Sequence, residues 1–159
     1  NFYYQILKIN KIKASSIGTL GISGININKN ISNTTFDSIK TNTFLRILKE
    51  KKINNVILEA TSHGLKQNRL DGLKFNIGIF TNLSRDHLDY HSNFKDYLNS
   101  KLILFNKLMK KNSYIIFDND LKISSNLKKI SKSRNLKTLT LGTKNSDLKV
   151  ISHKFVRSN

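Results

Sequence analysis

The chain contains no cysteine, no tryptophan and no proline, and only 10 of its 159 residues are acidic. Without cysteine neither a disulfide framework nor a thiolate metal site can form, a pattern that suits a reducing compartment. No apolar run approaches the roughly 20 residues that a membrane-spanning helix needs. No charged-then-apolar signal segment opens the sequence either. The expectation is a soluble, cytoplasmic protein with no membrane partner. The length suits one domain with a real core, on a prior of roughly 100–200 residues per domain.

Scarcity of acid leaves a net charge of +18. Such a balance is the usual electrostatic footprint of nucleic-acid binding. Here, however, 23 of the 28 basic residues are lysine, spread from Lys8 to Lys154, and asparagine and isoleucine are overused beside it. All three residues have A/T-rich codons, so one compositional bias explains the three excesses together. No aromatic-interleaved basic stretch, zinc finger or recognition-helix pattern argues for a nucleic acid.

Strands alternate with helices along the chain. Phe2, Tyr3, Ile6, Leu7 and Ile9 recur at near-helical spacing, which predicts a helix over 2–12 that starts upstream. The chain begins at Asn1 without a methionine and ends just after an apolar alternation, as a piece of a longer protein would. Ser15 to Ile27 reads as a strand with a glycine-bearing turn. Its G-x-x-G spacing lacks the Lys-Ser/Thr of a phosphate loop. Asn33-Thr-Thr-Phe-Asp37 is suited to cap a helix whose apolar face is Phe44, Leu45, Ile47 and Leu48. Val56–Leu58, Phe75–Thr81, Tyr114–Phe117 and Thr138–Leu141 read as strands, the first three of them buried. Helices are expected from about Asn93 and over 121–133, and a peripheral strand over Val150–Val156. The fold class that follows is α/β, a mostly parallel doubly wound sheet with helices on both faces.

The chemistry-bearing residues gather where apolar strands end, which is where open α/β sheets place their ligands. Glu59 follows Val56–Leu58 directly, and a carboxylate there is suited to Mg²⁺, which takes a few hard oxygen ligands and keeps several waters. Asp86, His87, Asp89 and His91 cluster beyond the next strand, an arrangement that serves metals or acid–base work. No HExxH pattern is present. Lys101 sits beside Leu102, Leu104 and Phe105. Among so many lysines the residues alone favour an ordinary surface side chain; in a partly apolar setting, however, a lysine gives up its proton more readily. The neutral amine can then take up carbon dioxide as a carbamate, a carboxylate-like ligand.

Glu59-Ala-Thr-Ser-His-Gly-Leu-Lys-Gln-Asn-Arg69, Thr81-Asn-Leu-Ser-Arg-Asp-His-Leu-Asp-Tyr-His91, and Lys101 fourteen positions after His87 together resemble the central, ATP-binding domain of the Mur ligases. The resemblance is closest to the MurE type. Thr61 stands where the family pattern has a serine, and Asn33-Thr34-Thr35 is similar to the family's segment for the UDP-sugar peptide. The resemblance covers roughly residues 1 to 120. It implies an ATP-dependent amide ligase of peptidoglycan precursor synthesis that uses ATP and Mg²⁺. The implied substrates are UDP-MurNAc-dipeptide and an amino acid, meso-diaminopimelate or lysine.

In that scheme Glu59 and His87 hold Mg²⁺, and Lys101 as a carbamate positions the second ion. Asn33, Thr34, Thr35, Thr61, Gln67 and Arg69 bind the UDP-MurNAc-dipeptide. The family's G-T-x-G-K-T phosphate loop is expected directly before Asn1. The N-terminal UDP-binding and C-terminal amino-acid-selecting domains are expected outside this segment, which alone would be inactive. One further departure is Phe117-Asp-Asn-Asp120 where the family has Asn-x-Asp-Asp. A folylpolyglutamate-synthase-like ligase, a non-catalytic remnant and a basic nucleic-acid-binding fragment remain as alternatives. Oligomeric state is open.

Overall fold

A computed structural model describes residues 2–25, 33–84 and 90–152. They belong to two compact units, residues 1–71 with 90–101, and residues 72–89 with 102–159.

The first unit opens with helix α1 (Phe2–Ile9) and a hairpin of β1 (Ala14–Gly18) and β2 (Gly21–Ser23). Helix α2 (Ser38–Glu50), strand β3 (Asn55–Leu58), the short helix α3 (Ser62–Lys66) and helix α4 (Phe94–Ile103) follow. The sheet order is β2-β1-β3. β1 and β3 run parallel, with Ser15 beside Val56 and Ile17 beside Leu58, so α2 is the crossover that a parallel pair requires. Asp37 starts α2 by accepting the Lys40 N–H at 2.8 Å, which satisfies one of the donors a helix N-terminus leaves unpaired. The apolar spacing of α2 then buries Phe44 and Leu48 against Ile17, with Ile22, Phe36, Ile53 and Leu58 around them.

The second unit holds β4 (Phe75–Phe80), a π-helix (Leu104–Leu108), β5 (Met109–Asp118), helix α5 (Ser124–Arg134), β6 (Lys137–Gly142) and β7 (Leu148–Lys149). Its four strands are all parallel, in the order β4-β5-β6-β7. Phe80 and Phe105 stack with centroids 6.0 Å apart, and Met109, Ile115, Phe117 and Leu127 complete an apolar interior.

The α/β class and the mostly parallel pairing agree with expectation, and three details differ. Val56, Ile77 and Ile79 are exposed rather than buried; in β4 burial alternates from Ile77 on, with Gly78 and Phe80 turned inward and Ile77 and Ile79 outward. Helix α1 has the expected spacing, yet buries only Leu7. The strand expected over Val150–Val156 is not found at 150–152; the short strand β7, paired with β6, ends just before it at Lys149, and 153–156 fall outside the described residues. No helix among the described residues is long and apolar enough to cross a membrane.

With no proline and seven glycines, several turns, and an irregularity within β5 at Asn112, rely on other residues. Lys11, Lys52, Asn68, Asn112, Asn135 and Asn145 all adopt left-handed backbone, with φ between 50° and 61°. Asn135 does so to end α5. Asparagine tolerates this conformation better than most residues because its short amide can bond the local backbone.

Candidate functional site

β1 and β3 are parallel, so their carboxyl ends lie side by side, and the first unit collects its polar groups there. Glu59 follows β3 and reaches back to the end of β1. The Thr19 N–H donates to Oε2 at 2.8 Å, and the Thr19 hydroxyl lies 3.1 Å from both carboxylate oxygens. Gly18 makes this approach possible, because a Cβ there would sit 2.5 Å from Glu59 Oε2. The Thr19 and Thr34 hydroxyls are 3.2 Å apart. One proton order suits all of these contacts: Thr34 O–H donates to Thr19, and Thr19 O–H donates to the carboxylate.

Thr35, 1% exposed, ties the polypeptide before α2 to the segment after β3. Its hydroxyl donates to the Glu59 carbonyl at 2.9 Å and accepts the Thr61 N–H at 3.0 Å. The Thr61 hydroxyl lies 2.9 Å away, and caps α3 by accepting the Gly64 N–H at 3.1 Å. Gly64 has to be bare, since a Cβ would meet Thr35 Cβ at 2.6 Å and Cγ2 at 2.7 Å.

Beyond α3, Arg69 donates through Nη1 to the Thr35 carbonyl at 2.7 Å and through Nε to Gln67 Oε1 at 2.8 Å. That second bond fixes the amide of Gln67, whose Nε2 donates to the Tyr90 hydroxyl at 3.0 Å. The Tyr90 ring lies over His63, centroid to centroid 3.9 Å. Thr35, Thr61, Gln67 and Arg69 thus form one hydrogen-bonded series that starts at Glu59. Asn33 is exposed at its margin.

A buried group supports this series from beneath. His91, 2% exposed, has Nε2 3.0 Å from the Ser62 hydroxyl and Nδ1 3.3 Å from Asp96 Oδ2. Asp96 also accepts from Lys66 Nζ at 2.6 Å and from the Ser92 N–H at 3.2 Å. The Lys66 ammonium, followed by the Ser92 amide and His91, holds the Asp96 carboxyl below its ordinary value against the opposing effect of burial.

Of the expected metal ligands, Glu59 stands at the strand end with an exposed carboxylate. His87, together with Asp86 and Asp89, lies outside the described residues. Lys101 is half-buried on α4, its ammonium 5.1 Å from the centre of the Tyr97 ring. Among the described residues no three histidine, aspartate or glutamate side chains converge to hold a metal ion. Phe117, where the family has asparagine, is 1% exposed and serves the interior of the second unit, paired in β5 between Phe80 and Thr140.

Sequence reasoning missed Thr19, Ser62 and Tyr90, and grouped His91 with Asp86, His87 and Asp89. Among the described residues His91 meets Ser62 and Asp96, while Asp86, His87 and Asp89 lie outside them. Only the position of Tyr90-His91 at the end of a polar motif marked the pair as unusual.

The Mur ligase middle domain family matches residues 2–159. The UDP-N-acetylmuramoyl-L-alanyl-D-glutamate--2,6-diaminopimelate ligase of Wigglesworthia glossinidia brevipalpis is 41% identical over 137 residues, 86% of this chain and 26% of its own. The ligase of the same name from Buchnera aphidicola subsp. Schizaphis graminum (strain Sg) is 48% identical over 95 residues, 60% of this chain and 19% of its own. That of Chelativorans sp. (strain BNC1) is 36% identical over 149 residues, 94% and 31% respectively. A solved structure of a UDP-N-acetylmuramoyl-L-alanyl-D-glutamate--2,6-diaminopimelate ligase superposes with a TM-score of 0.74 at 27% identity, covering 91% of this chain and 29% of that one. The chain thus spans less than a third of the length of these relatives. A match over nearly every residue, together with the α/β architecture and the polar series at the ends of β1 and β3, identifies the chain as a member of the Mur ligase middle domain family.

Proposed function

We propose that this chain is the central part of an ATP-dependent amide ligase of peptidoglycan precursor synthesis, joining meso-diaminopimelate (or lysine) to UDP-MurNAc-L-Ala-D-Glu. The observation that carries the reading is the hydrogen-bonded series Thr35–Thr61–Arg69–Gln67, rooted at the carbonyl of the strand-end Glu59. It supports a surface built to hold a carboxylate-bearing substrate next to a metal-binding acid.

The reaction proceeds in two steps. The substrate carboxylate takes the terminal phosphoryl group of ATP, giving an acyl phosphate and ADP. The incoming amine then attacks the acyl carbon, phosphate leaves, and the amine proton is lost to a base or to water. Most of the catalysis in such a transfer is positioning and charge neutralisation.

Arg69 carries five N–H donors in all. Nη1 and Nε bond Thr35 and Gln67, which leaves donors for a paired grip on a substrate carboxylate. Gln67, Thr61, Thr34 and Asn33 add polar contacts around it. Mg²⁺, when bound, neutralises the charge on the phosphate oxygens. Glu59 fits such an ion as one hard-oxygen ligand, because Thr19 orients its carboxylate and leaves it exposed. His87 and a carbamate on Lys101 are the other proposed ligands. The relatives' chains are far longer, and the phosphate loop and the selection of the amino acid are assigned to other regions of a complete enzyme. The reading places the enzyme in the cytoplasm.

The test is ADP release by the complete natural polypeptide, given ATP, Mg²⁺ and UDP-MurNAc-L-Ala-D-Glu. Release is expected only when diaminopimelate or lysine is also supplied. No release with either amino acid would overturn the reading.

A further inference from the structure

We propose that His91 is a positioning residue, whose bond to Ser62 sets the pose of the substrate-gripping segment Thr61–Arg69. The inference rests on the ligase reading for its substrate.

Ser62, His91 and Asp96 are arranged in the order of a nucleophilic triad, hydroxyl to imidazole to carboxylate. Two facts exclude that use. Ser62 is 3% exposed, so no acyl group can reach its oxygen. The carboxylate is also shared with Lys66 and Ser92, so it serves more than the imidazole. What the geometry provides is a brace. With its proton on Nδ1, the neutral ring donates to Asp96 and accepts the Ser62 O–H on Nε2, and every buried polar atom is satisfied. Three rings pack around it, with centroids at 5.4 Å for His63, 5.0 Å for Tyr90 and 5.3 Å for Tyr97. They leave the imidazole little room to turn.

The brace reaches the substrate residues through short connections. Ser62 adjoins Thr61, which caps α3 and bonds Thr35. Tyr90 adjoins His91 and accepts from Gln67, so that Gln67 Oε1 is turned towards Arg69 Nε. Two consecutive residues thereby secure both ends of the segment without belonging to it. Loss of the brace should blur the pose of Arg69 and leave ATP binding alone.

The experiment uses the complete natural polypeptide carrying Ser62→Ala, His91→Phe, and both together. Each single variant is expected to raise KM for UDP-MurNAc-L-Ala-D-Glu by about tenfold, the scale of one stranded buried polar group, while KM for ATP moves by less than about twofold. The double variant should be no worse than the poorer single one, because both remove the same bond. His91→Gln, whose amide can reach Ser62, should recover part of the loss. Equal rises in both KM values, or additive losses, would overturn the proposal. Ser62→Ala carries the test alone if His91→Phe does not fold. A wild-type protein inactive on this substrate refutes the ligase reading instead. The brace then stands or falls on the imidazole ¹⁵N shifts, which should report the proton on Nδ1 in the wild type and an altered Nε2 in Ser62→Ala. Unchanged Nε2 shifts would refute it.

Discussion

Replacing Thr35 by valine keeps the volume of a side chain that is 1% exposed and removes only its hydroxyl. That oxygen lies 2.9 Å from the Glu59 carbonyl, 3.0 Å from the Thr61 amide and 2.9 Å from the Thr61 hydroxyl. A made hydrogen bond is worth about 1 kcal/mol net, and a buried group left without a partner costs about 1–3 kcal/mol. The Thr61 hydroxyl can still cap α3, so the groups left without a partner are the Thr61 N–H and the Glu59 carbonyl, whose bond to Thr35 is part-buried. The expected loss is about 2–3 kcal/mol. Thr35→Ser keeps the oxygen and loses one methyl group, about 0.8 kcal/mol. Urea unfolding of the two variants, read at unchanged m, gives both numbers. The reasoning fails if valine is tolerated as well as serine, because the hydroxyl would then not be what joins the two segments.

Other perturbations test the site from different sides. Gly18→Ala would push the Glu59 carboxylate off Thr19, since its Cβ falls 2.5 Å from Oε2. The Mg²⁺ concentration for half-maximal ligation should rise by roughly tenfold, as for other losses of ligand-orienting contacts; an unchanged requirement would detach Glu59 from the metal. Lys101→Ala should nearly abolish ligation, with partial recovery on adding short carboxylates, and wild-type rates without rescue would remove the carbamate role. Asp96 has its folded-state value lowered, first by the Lys66 ammonium, so its stabilising effect is present above the ordinary carboxylate value of 3.8 and is lost as pH falls through the lower folded value. The Tm of the wild type should therefore drop more steeply below that pH than the Tm of Asp96→Asn. Part of the drop should persist in the variant, because the Thr140 hydroxyl lowers Asp147 and the Lys40 amide lowers Asp37 in the same sense. Parallel acid limbs in the two proteins would refute the coupling.

Local physics was readable from the residues, and long-range geometry was not. The start of α2 at Asp37 and its buried Phe44 and Leu48 follow from a capping carboxylate and a 3.6-residue period. Glu59 at a strand end follows from the apolar run before it. Neither kind of signal reveals that Tyr90 meets Gln67 or that His91 meets Ser62, contacts that span 23 and 29 residues. Reading β4 as buried assumed that an apolar run is covered on both faces; Ile77 and Ile79 lie on its uncovered face, opposite Gly78 and Phe80. The π-helix at Leu104–Leu108 was equally hidden, because its residue types also suit an ordinary α-helix. The resemblance to a family supplied the proposed roles of Thr35, Thr61, Gln67 and Arg69, and the coordinates supply the bonds that join them.

The left-handed asparagines carry a consequence for stability. At Asn68, Asn112, Asn135 and Asn145 a side chain occupies left-handed backbone that glycine adopts freely, at a cost below the roughly 1–2 kcal/mol that most other residues incur there. Asn68 lies between Gln67 and Arg69, and the Asn135 amide donates to Asn112 at 2.9 Å, so Asn145 is the corner where glycine offers a hardier protein and leaves every catalytic candidate untouched.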